Sequence, residues 1–581
     1  MNTVDSPSGR VPLPLEKALE RMKLAGPAPP LEQVLEGVVT NRRLLQDFTR
    51  LDESLEAELS NLCWQSSGLL LFVENDVPYA INNNSQLSDQ ASELLFRSCL
   101  ECVPGESIKL LELGAGTALF ARFLLDAFRD RCKDTGHDFY ERLTFYITDR
   151  SPSTVRQWAE RRLFADHEDH VVIGVCDALD PLRCTPLNGS PVDLSGIRAV
   201  FCNYLLDTLP STVIRRGEQG CEELCVRTHL TDDIARLKHH TRLTPEEIRA
   251  LVQSPDPADR AKLTSLVSVF EYETAFRRNG RVSEEAEEAL AIGAGLDRVL
   301  VNHGGLRCLE KCIALLEPAG FVLVNDYGPV QPDQIPGQAV PQRFGRTIAL
   351  GVNFPLLQHR MAALGCVTVK PDEDDARSIH TRLILKTRFP GVVEAFGQQF
   401  GLEEQLAEKL PEQARQHIEA GRQDEAMDCY KRALARHPRD WRLLGELAEF
   451  LIRNIADYDA GLAAARAAVR LNPWYSAWLW NTVGDALYAK EEFEEAHEAY
   501  LQGLRIDPND VRTNLNLAYT FCGFGEYREA LNAVARGLAA DAAGVFRDRL
   551  LEKQQNILAT LAARSAAEGE WLNRRTTRLR A

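Results

Sequence analysis

The stretch LLELGAGTALF at 110–120 constrains this chain more than any other. An apolar run ends in an acid, Gly-Ala-Gly follows, and a second apolar run begins, which predicts a buried strand, a tight turn and a helix start. Without side chains, Gly114 and Gly116 let the backbone bend sharply and approach a ligand, while the first N–H groups of the following helix face it. A turn of this kind holds the carboxylate or phosphates of a nucleotide-like ligand; the alternative is a turn that serves only the fold. The dinucleotide-binding pattern wants a third glycine where this chain has Leu119, which speaks against NAD.

Further strands follow in a regular rhythm. LTFYITD (143–149) ends in Asp149, and SPSTVRQWAERRL after it opens with a serine cap and a proline in the first turn, both helix-start signals. VVIGVCD ends in Asp177, IRAVFCN in Asn203 and GFVLVND in Asp326. In an open parallel sheet the ligand lies beyond the carboxyl ends of the strands, so these polar endings converge on one edge. Taken singly, Asp149 or Asp177 would equally serve as a helix cap. After the helical pattern FPLLQHRMAAL come GCVTVK (365–370) and RLILKTR (382–388), separated by the acidic PDEDDARSIHT. That gap is too short for a parallel crossover, so the two runs read as an antiparallel hairpin. The expected fold class is α/β, a Rossmann-like sheet of the class I methyltransferase type finished by an antiparallel hairpin.

The acid-x-Gly-x-Gly pattern from Glu112 resembles motif I of class I methyltransferases and favours S-adenosylmethionine (SAM). YITDRSP (146–152), VFCNYLLDTLP (200–210) and LVNDYGP (323–329) resemble blocks of the MidA-like methyltransferases over roughly residues 50–390. The resemblance implies that Glu112, Gly114, Ala115 and Gly116 form the cofactor turn, that Asp149 matches the acid of the second strand, and that Asn203, Asp207, Asp326, Tyr327 and Gly328 match the later blocks. It also implies a protein arginine acceptor. The chain departs from the family in its Gly-Ala-Gly-Thr-Ala turn, in YAINNNSQLSD (79–89) where an upstream segment has no match, and in ALGVNFP, where Asn353 replaces an acid.

The sulfonium methyl is already activated, so the chemistry needs placement of a nucleophile in line and exclusion of water. The turn amides are expected to take the methionine carboxylate, Asp149 the ribose hydroxyls and Asp177 the adenine amine, with Asn203 also at the cofactor. A guanidinium acceptor needs a carboxylate to orient it. Asp207 and Asp326, with Asn203, are the catalytic candidates; for Asp207 the alternative is a helix cap. The stretch 215–302 reads as largely helical, with starts at Thr244 and Ser283, and as either a lid or a packing extension.

A 35-residue period governs the C-terminal part, set by Pro438, Pro473 and Pro508. Ahead of them recur Ala426, Tyr430, Ala433; Gly461, Ala465, Ala468; and Ala496, Tyr500, Gly503. The pattern resembles the tetratricopeptide repeat (TPR), with a weaker fourth copy at 525–541 and a capping helix around 546–562. Such an all-α solenoid offers a groove for a protein or peptide partner; a homodimer contact is the alternative. The expected domains are a flexible lead with N-terminal helices at 1–50, the methyltransferase domain at 51–390, the repeat domain at 400–565 and a disordered basic tail at 566–581.

A formal charge of −17 argues against a nucleic-acid substrate. The chain shows no run of 18 apolar residues and no signal-peptide core, so a cytoplasmic protein without a membrane span is expected. The fourteen cysteines are scattered in apolar segments, as reduced buried thiols are, and no metal site is expected from Cys99/Cys102, Cys221/Cys225 or His239-His240. The function read from the sequence is a SAM-dependent methyltransferase, protein-directed and with a partner-recruiting repeat domain. A small-molecule methyltransferase and a non-catalytic repeat scaffold are the alternatives.

Overall fold

The computed structural model describes residues 43–69, 71, 85–100, 105–218, 220–278, 283–372, 374–401, 409–541 and 544–580. The lead at 1–42, the first part of YAINNNSQLSD and Cys102 lie outside the described residues.

Seven strands build the central sheet: β1 (Ile108–Leu113), β2 (Leu143–Asp149), β3 (Val171–Val175), β4 (Ile197–Asn203), β5 (Leu316–Asp326), β6 (Val367–Val369) and β7 (His380–Leu385). Their spatial order is β6-β7-β5-β4-β1-β2-β3, extended beyond β3 by the short strands Arg183–Pro186 and Val192–Asp193. The β1–β5 block is parallel, with Leu110 opposite both Phe145 and Ala199, and Val322 opposite Val200. β7 runs antiparallel to β5, with Phe321 opposite Leu385, and β6 antiparallel to β7. Strand order thus reverses between β1 and β4, which opens the crevice that α/β sheets use for ligands. The third strand stops at Val175, leaving Asp177 in the loop behind it.

Helices cover both faces. α1 (Leu55–Ser67), α2 (Gln86–Cys99), α3 (Leu119–Thr135) and α4 (Pro152–Glu160) come before β3, followed later by α5 (His303–Leu315), α6 (Phe354–Ala363) and α7 (Pro390–Gln399). Side chains of alternate strand positions point to opposite faces. Leu110, Phe145, Phe201 and Phe321 therefore pack with α2, α3 and α7, while Leu111, Val200 and Val322 pack with α5 and α6.

The repeats form α8 (Leu410–Glu419), α9 (Gln423–Arg436), α10 (Trp441–Phe450), α11 (Tyr458–Leu471), α12 (Ala477–Ala489), α13 (Phe493–Ile506), α14 (Val511–Gly523) and α15 (Tyr527–Ala540). Each repeat proline follows the second helix of its pair, and the small residues ahead of it are where neighbouring helices meet. At Gly484 an added Cβ would lie 2.3 Å from the Tyr500 ring, so the α12–α13 contact requires glycine. The terminal helix α16 (Arg547–Arg580) runs on through the expected disordered tail.

Two other expectations fail. Residues 43–50 are a strand, not a helix or a flexible lead. The 215–302 stretch contains helices at Pro245–Gln253 and Glu284–Ile292, but its frame is an antiparallel sheet of Thr212–Gly217, Gly220–Leu230, Phe270–Arg278 and Val299–Val301, joined by Arg43–Arg50. Phe270, Tyr272, Thr274 and Phe276 alternate with Glu271, Glu273 and Arg277, a period-two pattern that the strong caps on either side overshadow.

Candidate functional site

The glycine turn leaves β1 and enters α3 with φ +64° at Gly114 and +54° at Gly116, backbone that L side chains adopt only at a cost. A Cβ on Gly114 would lie 2.9 Å from Leu205 Cδ1 on the β4 side of the crevice. The turn amides are not free. Ala115 N–H donates to the Thr148 carbonyl at 2.9 Å, and Gly116 N–H donates to Asp149 Oδ2 at 3.1 Å. This corrects the expectation that these amides await a ligand carboxylate: the end of β2 supplies their acceptors. Asp149 Oδ1 also accepts from Ser151 N–H at 2.8 Å, and Ser151 caps α4 through Thr154 N–H. Burial pushes the Asp149 carboxyl up to about 6 against these N–H bonds. Asp177 is exposed and accepts from Leu179 N–H at 3.0 Å.

A ladder of side chains crosses four strand ends. Thr381 Oγ1 donates to Asn325 Oδ1 at 2.8 Å, Asn325 Nδ2 to Asn203 Oδ1 at 2.8 Å, and Asn203 Nδ2 to Glu112 Oε1 at 3.4 Å. Asn203 therefore orients Glu112. The other Glu112 oxygen, Oε2, is buried without a hydrogen-bond partner. Burial raises this carboxyl well above its ordinary value; the Asn203 bond opposes the shift and the nearby Asp149 adds to it.

The two acidic catalytic candidates have different surroundings. Asp326 Oδ2 accepts from the N–H groups of Leu206 at 2.9 Å and Asp207 at 3.3 Å, and its Oδ1 accepts from Tyr327 N–H at 2.9 Å. It holds the 204–208 turn in place. Asp207 is buried and its Oδ1 has no hydrogen-bond partner, while the buried Tyr327 hydroxyl beside the carboxyl partly opposes the effect of burial. Burial pushes Asp207 up to about 7. A cavity of about 60 Å³ opens over Asp207, walled by Leu51, Asp52, Ser60, Asn61, Ser211 and Leu350. None of its lining residues comes from 215–302.

Gly328 and Asn353 explain each other's surroundings. Val352 passes so close that a Cβ on Gly328 would sit 2.2 Å from the Val352 carbonyl oxygen. Asn353 accepts from Leu356 N–H at 3.1 Å, capping α6, and donates to the Leu300 carbonyl at 2.8 Å. The residue that departs from the family thus pins α6 to the inserted sheet. Sequence reasoning placed Tyr327 in a matching block without a role for its hydroxyl, and it missed Trp158, whose Nε1–H donates to the Gly116 carbonyl at 2.9 Å. His239 and His240 are exposed, and no cluster suited to a metal ion occurs among the described residues. No described helix is long and apolar enough to cross a membrane.

A methyltransferase-type sheet with a glycine turn and acids at its strand ends, joined to a helical repeat array, defines the class. Residues 95–362 match the family model described as "Putative S-adenosyl-L-methionine-dependent methyltransferase", and 410–450 and 484–522 match tetratricopeptide-repeat models. Over residues 95–362 the chain is therefore similar to a SAM-dependent methyltransferase family, and tetratricopeptide repeats follow in its C-terminal part. A Burkholderia thailandensis protein solved with S-adenosyl-homocysteine aligns at 15% identity over 63% of this chain and 81% of its own, with a TM-score of 0.35. A Thermus thermophilus TPR protein aligns at 18% identity over 27% of this chain and 82% of its own, with a TM-score of 0.23. Among curated proteins, the peroxisomal targeting signal receptor of Candida albicans is 32% identical over 83 residues, 14% of each chain. This chain therefore spans about one-seventh of the length of that relative.

Proposed function

We propose that the chain methylates a nitrogen of a protein substrate, an arginine by its family resemblance, and that the repeats recruit that substrate or its carrier. The reading rests on one observation: Asp207, buried with an unpartnered oxygen, lines a narrow cavity beyond the carboxyl end of β4. An orphaned buried carboxylate oxygen costs stability unless a donor arrives, and a guanidinium is a donor of the right charge and shape. Within this reading the domain boundaries fall at 51–390 and 400–565, and the protein works in the cytoplasm.

The residues of the turn fit SAM. Gly114 keeps the floor open where a side chain would meet Leu205, and the free Glu112 oxygen suits the cofactor's ammonium group. Asp149 retains acceptor capacity for ribose hydroxyls, and Asp177 lies on the adenine side. When bound, SAM supplies the electrophilic methyl group. Asp207 holds the acceptor nitrogen with its lone pair toward that methyl and takes up the proton released on transfer, directly or through Tyr327. Asp326 and Asn203 act as positioning residues, through the 204–208 turn and Glu112 respectively.

Calorimetric titration of SAM into wild type and a Gly114→Trp variant tests the site. Wild-type binding lost in a folded variant supports it, and equal binding by both removes the turn from the cofactor site. Labelled-methyl transfer in cell extract then decides the acceptor: label in protein released as methylarginine supports the proposal, and label confined to small molecules overturns it.

A further inference from the structure

The repeat domain is docked on the methyltransferase domain, and its contacts fall on the two helices that leave the cofactor turn. Arg439 follows Pro438 and pairs with Asp130 near the end of α3. Trp474 follows Pro473, one repeat later, and meets Arg161 just past α4. Arg161 Nη1 donates to the Trp474 carbonyl at 2.7 Å, and Trp474 Nε1–H donates back to the Arg161 carbonyl at 3.2 Å. The Arg161 guanidinium also lies 5.3 Å from the centre of the buried Tyr475 ring. Two equivalent loops of consecutive repeats therefore grip α3 and α4 at their far ends. One hydrophobic cluster runs unbroken from the α3 and α4 side of the sheet into the solenoid, including Phe123, Trp158, Tyr475 and Leu479.

The near ends of the same helices are the cofactor site. α3 begins three residues after Gly116, and α4 follows directly from Asp149 and its Ser151 cap. Trp158, fully buried in α4 and three residues from Arg161, donates to the Gly116 carbonyl. A short, packed path thus joins Trp474 to the glycine turn. Side chains in close-packed interiors shift as sets, because cores tolerate little change of volume.

We propose that the repeat edge formed by Arg439 and Trp474 positions the glycine turn, so that SAM affinity and solenoid docking are energetically coupled. The proposal rests on the reading of Gly114–Gly116 as the cofactor site. Coupling is reciprocal: whatever docking contributes to SAM binding, SAM contributes to docking. A protein loaded on the repeats would thereby tune the methyl-donor site without touching it.

The test uses the full chain with SAM as the probe, at a temperature where circular dichroism shows every variant folded. Arg161→Ala should weaken SAM binding about threefold or more, as expected for loss of a partly buried, charge-assisted hydrogen bond, and Arg161→Lys should recover most of it. A loss confined to fold stability would leave the dissociation constant unchanged. Hydrogen exchange on wild type gives a second readout that needs no variant: SAM should slow exchange of the amides at 472–476 as well as 113–118. Unchanged affinity in Arg161→Ala, with faster exchange at 472–476 showing the contact open, overturns the coupling and leaves the cofactor site standing. So does SAM protection confined to 113–118. Absence of SAM binding by wild type overturns the site and the coupling together.

Discussion

Two groups of buried acids sit on the same sheet in opposite states. At the crevice, Glu112 and Asp207 each keep an oxygen without a partner, and burial raises both carboxyls. Beyond β5, Asp374 from the acidic loop is equally buried, but His380 Nδ1 lies 3.2 Å from one oxygen and Arg382 Nη2 donates to the other at 2.6 Å. Burial would raise Asp374 too, yet these two partners outweigh it and hold its carboxyl down at about 2. A carboxylate whose oxygens are all paired supports the fold, whereas one left short of donors carries an electrostatic cost that a ligand relieves. Burial alone does not separate the two cases, and neither do backbone N–H partners, since Asp326 accepts three and still lies well above its ordinary value; cationic partners do.

The sharpest way to break this contrast is to neutralise one acid from each group. Asp207→Asn should lower methyl transfer by about 10²–10⁴-fold, the range for losing a positioned proton acceptor, with SAM affinity within about twofold of wild type. Single-turnover transfer with labelled SAM measures it. Retained activity would return Asp207 to a cap of the 204–208 turn. Asp374→Ala should spare chemistry in the folded fraction but cost about 3–5 kcal/mol by denaturant unfolding, because Arg382 is left buried and uncompensated. Its pH signature has the opposite sign to that of the crevice acids. The Asp374 contribution is present above the ordinary carboxyl value and fades as pH falls toward about 2.

The parts of this arrangement that were legible in the sequence are those written in local pattern. The Gly114–Gly116 turn, the polar strand endings, the hairpin around the acidic loop and the proline period are short-range signals that each determine an element. Long-range pairing was not legible. Nothing within 43–50 announces that it pairs with Gly220–Leu230, because register is set by partners some 180 residues away. The acids of the site were legible as residues but not as roles. Asp207 and Asp326 look alike in sequence, and only the three backbone N–H groups that converge on Asp326 tell them apart. The turn amides were misread for a related reason, since their acceptors, Thr148 and Asp149, come from the neighbouring strand.

Asp149 lies between the two groups, with its oxygens bonded and its carboxyl still raised to about 6. If its anionic form accepts the ribose hydroxyls, SAM affinity should fall about tenfold per pH unit below that value, which calorimetry across pH 5–8 would show. Stability runs the other way. A raised carboxyl contributes most when protonated, below its ordinary value, and that contribution is lost as pH rises through about 6. Asp149→Asn should therefore bind SAM poorly at every pH and yet unfold at least as reluctantly as wild type at pH 8. A variant that binds normally, with the pH dependence intact, would move the ribose contact to another residue.

The smallest expected effect lies at Asn353, which stands where the family resemblance leads one to expect an acid. Its amide nitrogen donates to the Leu300 carbonyl, while its oxygen caps α6 through Leu356 N–H. Asn353→Asp keeps the cap but sets a carboxylate oxygen against a carbonyl oxygen in a buried place. Loss of the donor and the new repulsion should cost about 1–3 kcal/mol. Because the site acids are reached by other elements, SAM affinity should stay within about twofold. The same variant distinguishes two accounts of the replacement. A drop in stability without a change in transfer means that Asn353 ties α6 to the inserted sheet and that the acid's work, where relatives have one, is not needed here. A gain in transfer, despite lower stability, would mean that the crevice still has room for a third acid and that this chain has traded it for the tie to Leu300.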